Sequence, residues 1–193
     1  DWSSDVCSSD LLKGDAKCTR CHDETDDYPV LAIAKTPHGV QADARTPTCT
    51  SCHGESQAHL DNPGGKAERP PVDRVFGLKS PTPPDTQNSA CLTCHQSGLR
   101  MDWQGSLHQS AGVPCANCHR VHAPKDKVLA KATQPQVCFA CHKEQRAQAM
   151  KPSHHPILEG KVVCSSCHNP HGGIGPHNLA KATVNEEIGR AHV

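Results

Sequence analysis

Aromatic side chains are scarce in this chain, which has two Trp, two Phe and one Tyr among 193 residues. A chain this polar normally stays loop-rich or disordered unless another component supplies apolar mass, so an ordinary globular core is not expected. No apolar run is long enough to span a membrane as a helix. An excess of one charge is also lacking: 20 basic residues balance 20 acidic ones, which excludes a strongly basic nucleic-acid surface.

Cysteine and histidine are abundant instead, with 13 and 15 residues respectively. A disulfide scaffold would account for many cysteines in a small chain, but it gives no role to the histidines. The two residue types together suggest a cofactor that supplies the missing apolar mass.

The two ends of the chain are predicted to be translated sequencing adapter rather than protein sequence. The C-terminal letters IGRAHV can be back-translated to codons whose opposite strand encodes DVCSSD, and DVCSSD occurs near the N-terminus. We therefore expect residues 1–11 and 187–193 to be artefact, which sets aside Cys7 and His192. Residues 12–186 are then expected to be a fragment of a longer protein.

Each of the twelve other cysteines belongs to a Cys-x-x-Cys-His motif. The six motifs contain Cys18, Cys21 and His22; Cys49, Cys52 and His53; Cys91, Cys94 and His95; Cys115, Cys118 and His119; Cys138, Cys141 and His142; and Cys164, Cys167 and His168. This motif is typical of covalent haem c, whose vinyl groups take the two thiols and whose iron takes the His as proximal ligand. Zinc also binds Cys-x-x-Cys pairs, but it gives no reason for a His after each pair. The motifs therefore predict six haem c groups.

The sixth position of each iron decides between electron transfer and catalysis, because an open position can bind substrate. Eight more histidines are available as distal ligands, and six would suffice for bis-His ligation throughout. They are His38, His59, His108, His122, His154, His155, His171 and His177. We expect His177 to be a surface side chain, and we favour His155 over His154. Bis-His ligation lacks the Met that raises the potential, so low potentials are expected.

Chain reach restricts the ligand pairing. His122 lies three residues after His119, and His171 lies three residues after His168. Three residues span at most about 10 Å, and the macrocycle blocks the path between its two axial positions. His122 and His171 should therefore ligate the iron of a neighbouring haem, which brings haems into close contact.

The chain is an internal repeat in which each unit holds two haems: a lone motif, a bridging His, then a motif with a trailing His. The predicted divisions are haem pair 1 at 12–60, a Pro-rich linker at 61–87, haem pair 2 at 88–123 and haem pair 3 at 124–186. The tract LAKAT at 129–133 precedes a motif, yet its copy at 179–183 does not. This difference predicts further haems in the natural protein.

The expected fold class is a multihaem cytochrome c, mostly loops with short α-helices, little or no β-sheet and a core of stacked haems. Residues 138–150 are rich in helix formers and predict a helix that begins at the fifth motif. A shorter helix is expected over 88–96. The six prolines of 61–87 predict an extended linker. Trp103 and Phe76 are expected to pack on haem edges.

The ordered series of motifs resembles the DmsE/MtrA family of decahaem c-type cytochromes. The resemblance covers nearly all of residues 12–186 and is carried by segments such as TCTSCHGESQAH, VFGLKSPTP, WQGSLH, VPCANCHRVH and HPILEGKVVCSSCHNPHG. It implies that the six motif histidines are proximal ligands. It also implies six distal ligands, His38, His59, His108, His122, His155 and His171. Because the family has ten haems, the chain is expected to be its N-terminal six-haem part.

The resemblance further implies a periplasmic electron carrier, not an enzyme, that sits in an outer-membrane β-barrel and moves electrons between periplasm and cell exterior. The implied partners are that barrel, an inner-membrane quinol-dehydrogenase cytochrome and a cell-surface multihaem cytochrome, with no nucleic acid. The electrons could serve metal-oxide or dimethyl sulfoxide respiration, or they could come inward from ferrous iron. The cytoplasm is excluded because bacteria attach this haem outside the cytoplasmic membrane.

Two alternatives stay open at this point. A multihaem reductase of the nitrite or hydroxylamine kind would need one iron with an open face, often marked by an atypical attachment motif, whereas all six motifs here are regular. A soluble periplasmic electron shuttle would need no barrel partner, and co-purification with a barrel would separate it from the conduit.

Overall fold

The computed structural model describes residues 15–40, 45–62, 64–65 and 68–191. Its helices are short and are joined by loops. The α-helices are α1 (Ala16–Thr19), α2 (Cys49–His53), α3 (Gln57–Asp61), α4 (Pro84–Leu92), α5 (Leu107–Ser110), α6 (Gln134–Phe139), α7 (Lys143–Gln148) and α8 (Val184–Ala191). The 3-10 helices are Val30–Lys35, Pro37–Gly39, Gly98–Arg100, Cys115–Asn117, Cys164–Ser166 and Pro176–Asn178.

Within the described residues, β-structure is limited to one isolated antiparallel bridge between His168 and Leu179. The predicted class of loops with short α-helices and little or no sheet is therefore confirmed. None of the helices in this part of the chain is long and apolar enough to cross a membrane. Cys7 and His192, which fall in the predicted adapter segments, lie outside the described residues, while α8 runs across the predicted boundary after residue 186.

The chain forms two compact units. The first consists of the residues up to Cys91 together with Arg120–Asp126, and the second consists of Leu92–His119 and the residues from Lys127 onward. The short segment belongs to the first unit, where His122 Nδ1 is hydrogen-bonded to the carbonyl of Val30 at 2.6 Å. The predicted division into three haem pairs stays a prediction.

The prediction of one continuous helix over residues 138–150 is wrong. α6 ends at Phe139 and α7 begins at Lys143, because the end of the fifth motif turns the backbone out of the helical region. His142 has φ −83° and ψ 68°, while its N–H still donates to the carbonyl of Cys138 at 3.0 Å. The attachment motif therefore interrupts the run of helix formers, which resumes as α7.

The shorter helix expected over 88–96 is displaced toward the N-terminus, as α4. Pro84 is its first residue, since the fixed φ of proline suits the first helical turn and its missing N–H is not needed there. The helix ends at Leu92, directly after the first cysteine of the third motif. Only that part of the third motif is helical.

The described part of the Pro-rich tract 61–87 is not a free extended linker. Arg74 Nη1 donates to the carbonyl of Cys52 at 2.6 Å, and the N–H of Arg74 donates to the carbonyl of His53 at 3.0 Å. The tract therefore folds back on the second motif, and its last residues form the start of α4.

Few apolar side chains are buried. In the part of the chain that the structure describes, the buried apolar side chains other than proline are Trp103, Phe139, Ala149 and Val163, and all four belong to the second unit. Large apolar side chains such as Leu129 and Ile174 are instead 73% and 70% exposed. The polypeptide alone does not supply the apolar contacts that normally stabilise a domain of this length, so an added apolar component fits the fold.

Candidate haem-binding centres

A helical turn at the attachment motif places its two thiols and its imidazole on one face. The N–H of the motif His donates to the carbonyl of the first Cys at 2.9–3.1 Å in the first, fourth, fifth and sixth motifs. In the second motif α2 covers all five residues, and Thr48 caps it through a capping box with Ser51. Side chains at positions i, i+3 and i+4 of a helical turn share a face, so both thiols and the imidazole can reach one haem.

Six of the predicted iron ligands are held in place through Nδ1. His22 Nδ1 is hydrogen-bonded to Asp26 Oδ2 at 2.8 Å. In the other five the acceptors are peptide carbonyls, those of Arg74, Pro70, Pro170, Val30 and His177 for His53, His59, His108, His122 and His168 respectively, at 2.6–2.9 Å. A neutral imidazole that donates Nδ1–H keeps its Nε2 lone pair for a metal, and the bond fixes the orientation of the ring.

These acceptors could not be predicted from sequence patterns, because every residue type has a peptide carbonyl. Only Asp26 offered a side-chain signal, as a carboxylate four residues after His22. The carbonyl of His177 reaches His168 through a backbone with positive φ at two successive residues, His177 (55°) and Asn178 (59°). The role of His177 is thus carried by its main chain.

Four pairs of predicted ligand imidazoles lie with ring centroids 6.0–6.2 Å apart. The pairs are His22 with His59 and His53 with His122 in the first unit, and His108 with His142 and His119 with His171 in the second. A bond from a transition metal to imidazole nitrogen is about 2 Å long. Two such bonds in line, with half of each ring, put trans imidazole centroids about 6 Å apart. The spacing therefore fits one iron between the rings of each pair.

Every one of these pairs combines a motif His with a His outside the motifs. His122 lies beside His53, and His171 lies beside His119, so neither lies beside the motif His three residues before it. The structure thus brings together the two ligand classes that the sequence separates into proximal and distal.

The ring planes of the pairs differ, and this difference gives a spectroscopic prediction. The interplanar angle is 2° for His22 and His59 but 81° for His108 and His142. Parallel ligand planes split the iron d orbitals strongly and give a rhombic low-spin electron paramagnetic resonance (EPR) spectrum, whereas perpendicular planes give one feature at large g. We expect both kinds of signal from the haem-loaded chain.

The variant His108→Ala tests that assignment. It should remove the large-g feature and create one high-spin haem, because the iron held by His142 loses its second imidazole. Leu107→Ala, at an exposed neighbouring position, is the matched control and should leave the spectrum unchanged. A purely rhombic spectrum from the unsubstituted chain would contradict the perpendicular pair.

Burial keeps several of these imidazoles neutral. It lowers the pKa of His53 and of His122 and lowers the pKa of His171 to about 4. Because a metal binds the neutral imidazole, these rings are in the ligating form throughout the neutral range.

The first cysteines of sequential motifs lie close together. The thiols of Cys18 and Cys49 are hydrogen-bonded in the first unit, and burial raises the pKa of both. In the second unit a hydrogen bond from Cys138 lowers the pKa of Cys164 to about 7. The first and second attachment points therefore adjoin, and so do the fifth and sixth.

Zinc fits this arrangement poorly. Among the described residues, the group of Cys, His and acidic side chains close enough to share an ion is Asp15, Cys18 and Cys49, within 4.8 Å of one another. A Cys-x-x-Cys zinc site uses both thiols of a pair and completes four ligands. This group takes one thiol from each of two motifs and leaves out both motif histidines.

His154 is occupied by other partners. Its Nδ1 is hydrogen-bonded to the carbonyl of Lys151, and its Nε2 is hydrogen-bonded to Glu159 Oε1 at 2.9 Å. The hydrogen bond with Glu159 raises the pKa of His154, which favours the charged imidazolium that cannot bind a metal. This arrangement supports the preference for His155 as the distal ligand.

Several buried donors have no protein acceptor. They are Nε of Arg74, Nε of Arg100 and Nδ1 of His171. A buried donor left without an acceptor costs free energy, so an acidic or carbonyl-bearing group is needed beside each. Haem propionates have the right chemistry, and the donors therefore fit haem better than a bare metal ion.

Aromatic residues lie against the ligand imidazoles. Phe76 and Trp103, expected at haem edges, lie against the rings of His53 and His171, with centroids 5.2 and 6.3 Å apart, and their packing on haem stays a prediction. Tyr28 lies edge-on to His122 at 5.8 Å. These contacts help to fix the orientation of ligands that reach their site from distant parts of the sequence.

Comparisons with known proteins agree with the geometry. Residues 49–133 match the family model described as cytochrome c-type protein NrfB-like, and residues 107–181 match the one described as cytochrome c3. Multiheme cytochrome MtrA of Shewanella baltica (strain OS185) is 39% identical over 184 residues, which cover 93% of this chain and 53% of the relative. Cytochrome c-type protein NrfB of Haemophilus influenzae is 31% identical over 166 residues, covering 75% of this chain and 70% of the relative. The chain thus spans about half the length of the first relative.

Proposed function

This chain belongs to the DmsE/MtrA family of multihaem c-type cytochromes, and from that premise we propose that it relays single electrons as the six-haem part of a conduit across the bacterial outer membrane. MtrA-like multihaem cytochromes are electron carriers rather than enzymes, and they carry haem c. The observation that supports the relay is the pairing of imidazoles at 6.0–6.2 Å, which would fill both axial positions of an iron held between each of the four pairs. An iron ligated in this way has no open position for a substrate.

The protein's own residues bind and orient six haem groups in this proposal. The cysteines of the six motifs attach the haems covalently, and the motif histidines are the proximal ligands. His59, His122, His171 and His108 are the distal ligands of the first, second, fourth and fifth irons, and His38 and His155 are further distal ligands without an assigned iron. Haem c supplies the one-electron couple when bound, and bis-His ligation without Met favours a low potential.

The proposed location is the periplasm, in association with the outer membrane. The proposed partners are an outer-membrane β-barrel protein, an inner-membrane quinol-dehydrogenase cytochrome and a cell-surface multihaem cytochrome. The resemblance to MtrA over 93% of the chain supports these assignments. Extracellular electron transfer, as metal or dimethyl sulfoxide respiration or as iron oxidation, is the process that such an assembly serves.

Haem quantification combined with EPR tests the relay. The whole chain, exported in a bacterium that attaches haem c, should carry six haems per protein, all low-spin, and should show no turnover of nitrite or hydroxylamine. A persistent high-spin haem that binds nitrite would contradict the relay and favour the multihaem reductase.

A soluble periplasmic shuttle is the second candidate, and the NrfB-like match over residues 49–133 favours it. Gentle detergent extraction of cells that make the haem-loaded chain separates the two candidates. Co-purification with a β-barrel protein supports the conduit, whereas recovery of all the haem-loaded chain in the soluble periplasmic fraction supports the shuttle.

A further inference from the structure

The two iron sites of the first unit differ in what holds their imidazoles. At the second site, both ligands are hydrogen-bonded to peptide carbonyls: His53 to that of Arg74 at 2.9 Å and His122 to that of Val30 at 2.6 Å. At the first site, His59 is likewise bonded to the carbonyl of Pro70 at 2.8 Å. The remaining ligand of the first site, His22, is held by a carboxylate.

That carboxylate is placed to act on the imidazole. Asp26 Oδ2 lies 2.8 Å from His22 Nδ1; the Asp26 side chain is 9% exposed and that of His22 is 38% exposed. Water therefore screens the contact in part, but a hydrogen bond to an ionised acceptor is still stronger than one to a neutral carbonyl. His22 is therefore a more electron-rich ligand than its counterpart His53.

We propose that Asp26 makes the site of His22 and His59 the electron donor of the first unit, by lowering its reduction potential below that of the site of His53 and His122. The inference rests on the proposed function, since it requires bis-His haem at both sites. One electron leaves the iron between His22 and His59, which passes from ferrous to ferric. It reaches the iron between His53 and His122, which passes from ferric to ferrous.

The physical reason is the charge of the oxidised site. Ferric bis-His haem carries one more positive charge than ferrous haem, and a nearby anion stabilises the more positive state. Asp26 adds negative charge to His22 through the hydrogen bond and so favours the ferric state there. At the second site burial disfavours the more charged state and raises the potential, so both effects widen the difference in the same direction.

The attachment points of the two sites adjoin. The thiols of Cys18 and Cys49, the first cysteines of the first two motifs, lie within 4.8 Å of each other. Haems attached there would be neighbours, so the proposed step runs between adjacent sites.

EPR-monitored redox titration of the haem-loaded full chain tests the proposal with Asp26→Asn. The amide oxygen can still accept the hydrogen bond, so the substitution removes the charge and retains the shape. We expect one of the reduction waves to move to higher potential while the others keep their positions. Asp27→Asn is the matched control, because Asp27 is exposed and is the next residue in the chain. Its substitution changes the net charge by the same amount as Asp26→Asn.

Two ligand variants assign the waves. His59→Met should raise the potential of the first site, and His122→Met should raise that of the second, since Met in place of His raises the potential. The wave moved by Asp26→Asn should be the one moved by His59→Met, and in the unsubstituted chain it should lie below the one moved by His122→Met. The reverse order, or an equal shift in Asp27→Asn, would overturn the proposal.

The result also separates this inference from the function on which it rests. If the unsubstituted chain lacks low-spin bis-His haem, the proposed function fails. If six low-spin haems are present and Asp26→Asn moves no wave, the role of Asp26 alone is refuted.

Discussion

Without attached haem, the chain is expected to show no cooperative unfolding transition at all. Apart from proline, its buried apolar side chains among the residues that the structure describes are Trp103, Phe139, Ala149 and Val163. A folded domain is normally stable by about 5–15 kcal/mol, and most of the favourable free energy comes from apolar burial. Four side chains of this kind cannot offset the conformational entropy of the chain, so the whole of that stability is expected to depend on haem.

Thermal unfolding followed by far-ultraviolet circular dichroism checks this expectation. The haem-free chain is obtained by synthesis in the cytoplasm, where haem c is not attached, and the haem-loaded chain from the periplasm is the control. The control should unfold cooperatively, whereas the haem-free chain should change gradually with temperature. A cooperative transition in the haem-free chain would mean that the polypeptide has a core of its own.

The second large effect is expected from His122→Ala, which should turn one of the haems from low-spin to high-spin and raise its potential. His122 lies beside His53, with ring centroids 6.2 Å apart, so in the proposed pairing its removal would open the sixth position of the iron that His53 binds. EPR and the visible absorption spectrum of the oxidised protein report the change. His154→Ala is the matched control, because His154 is bonded to Lys151 and Glu159 and should leave every haem low-spin.

A double substitution identifies which iron loses its ligand. The variant Cys49→Ala/Cys52→Ala removes the second haem, and adding His122→Ala to it should produce no further high-spin signal. If a high-spin haem still appeared in the combined variant, His122 would serve an iron other than the one bound by His53.

The haem-attachment motifs could be predicted from sequence because the chemistry is local. Two thiols and an imidazole must share one helical turn, and the turn is encoded in five consecutive residues. The helix expected over 138–150 is interrupted at the same motif, because His142 leaves the helical region of backbone space at its end. The prediction from helix propensity is correct for α7. At the motif itself, the local backbone geometry overrides that propensity.

The ligand partners could not be read from sequence, because they depend on contacts across the chain. Spacing excluded a link from His122 to the iron of His119, but it did not select His53. The sequence does not identify the hydrogen-bond acceptors for Nδ1 either, because most of them are peptide carbonyls, such as those of Val30 and Arg74. The prolines of the tract 61–87 predict a linker, yet the same tract holds the carbonyls of Arg74 and Pro70 that orient His53 and His59.

The placement of Arg120–Asp126 in the first unit has a consequence for the order of assembly during secretion. A chain exported from its N-terminus presents Cys49, Cys52 and His53 to the attachment machinery well before His122, whose contact with Val30 spans 92 residues. If His122 is the second ligand of the iron that His53 binds, as proposed, the second haem would be attached while its iron has one protein ligand. That iron would stay reactive toward small molecules until His122 arrives, so a chain stopped short of this residue would expose a five-coordinate iron.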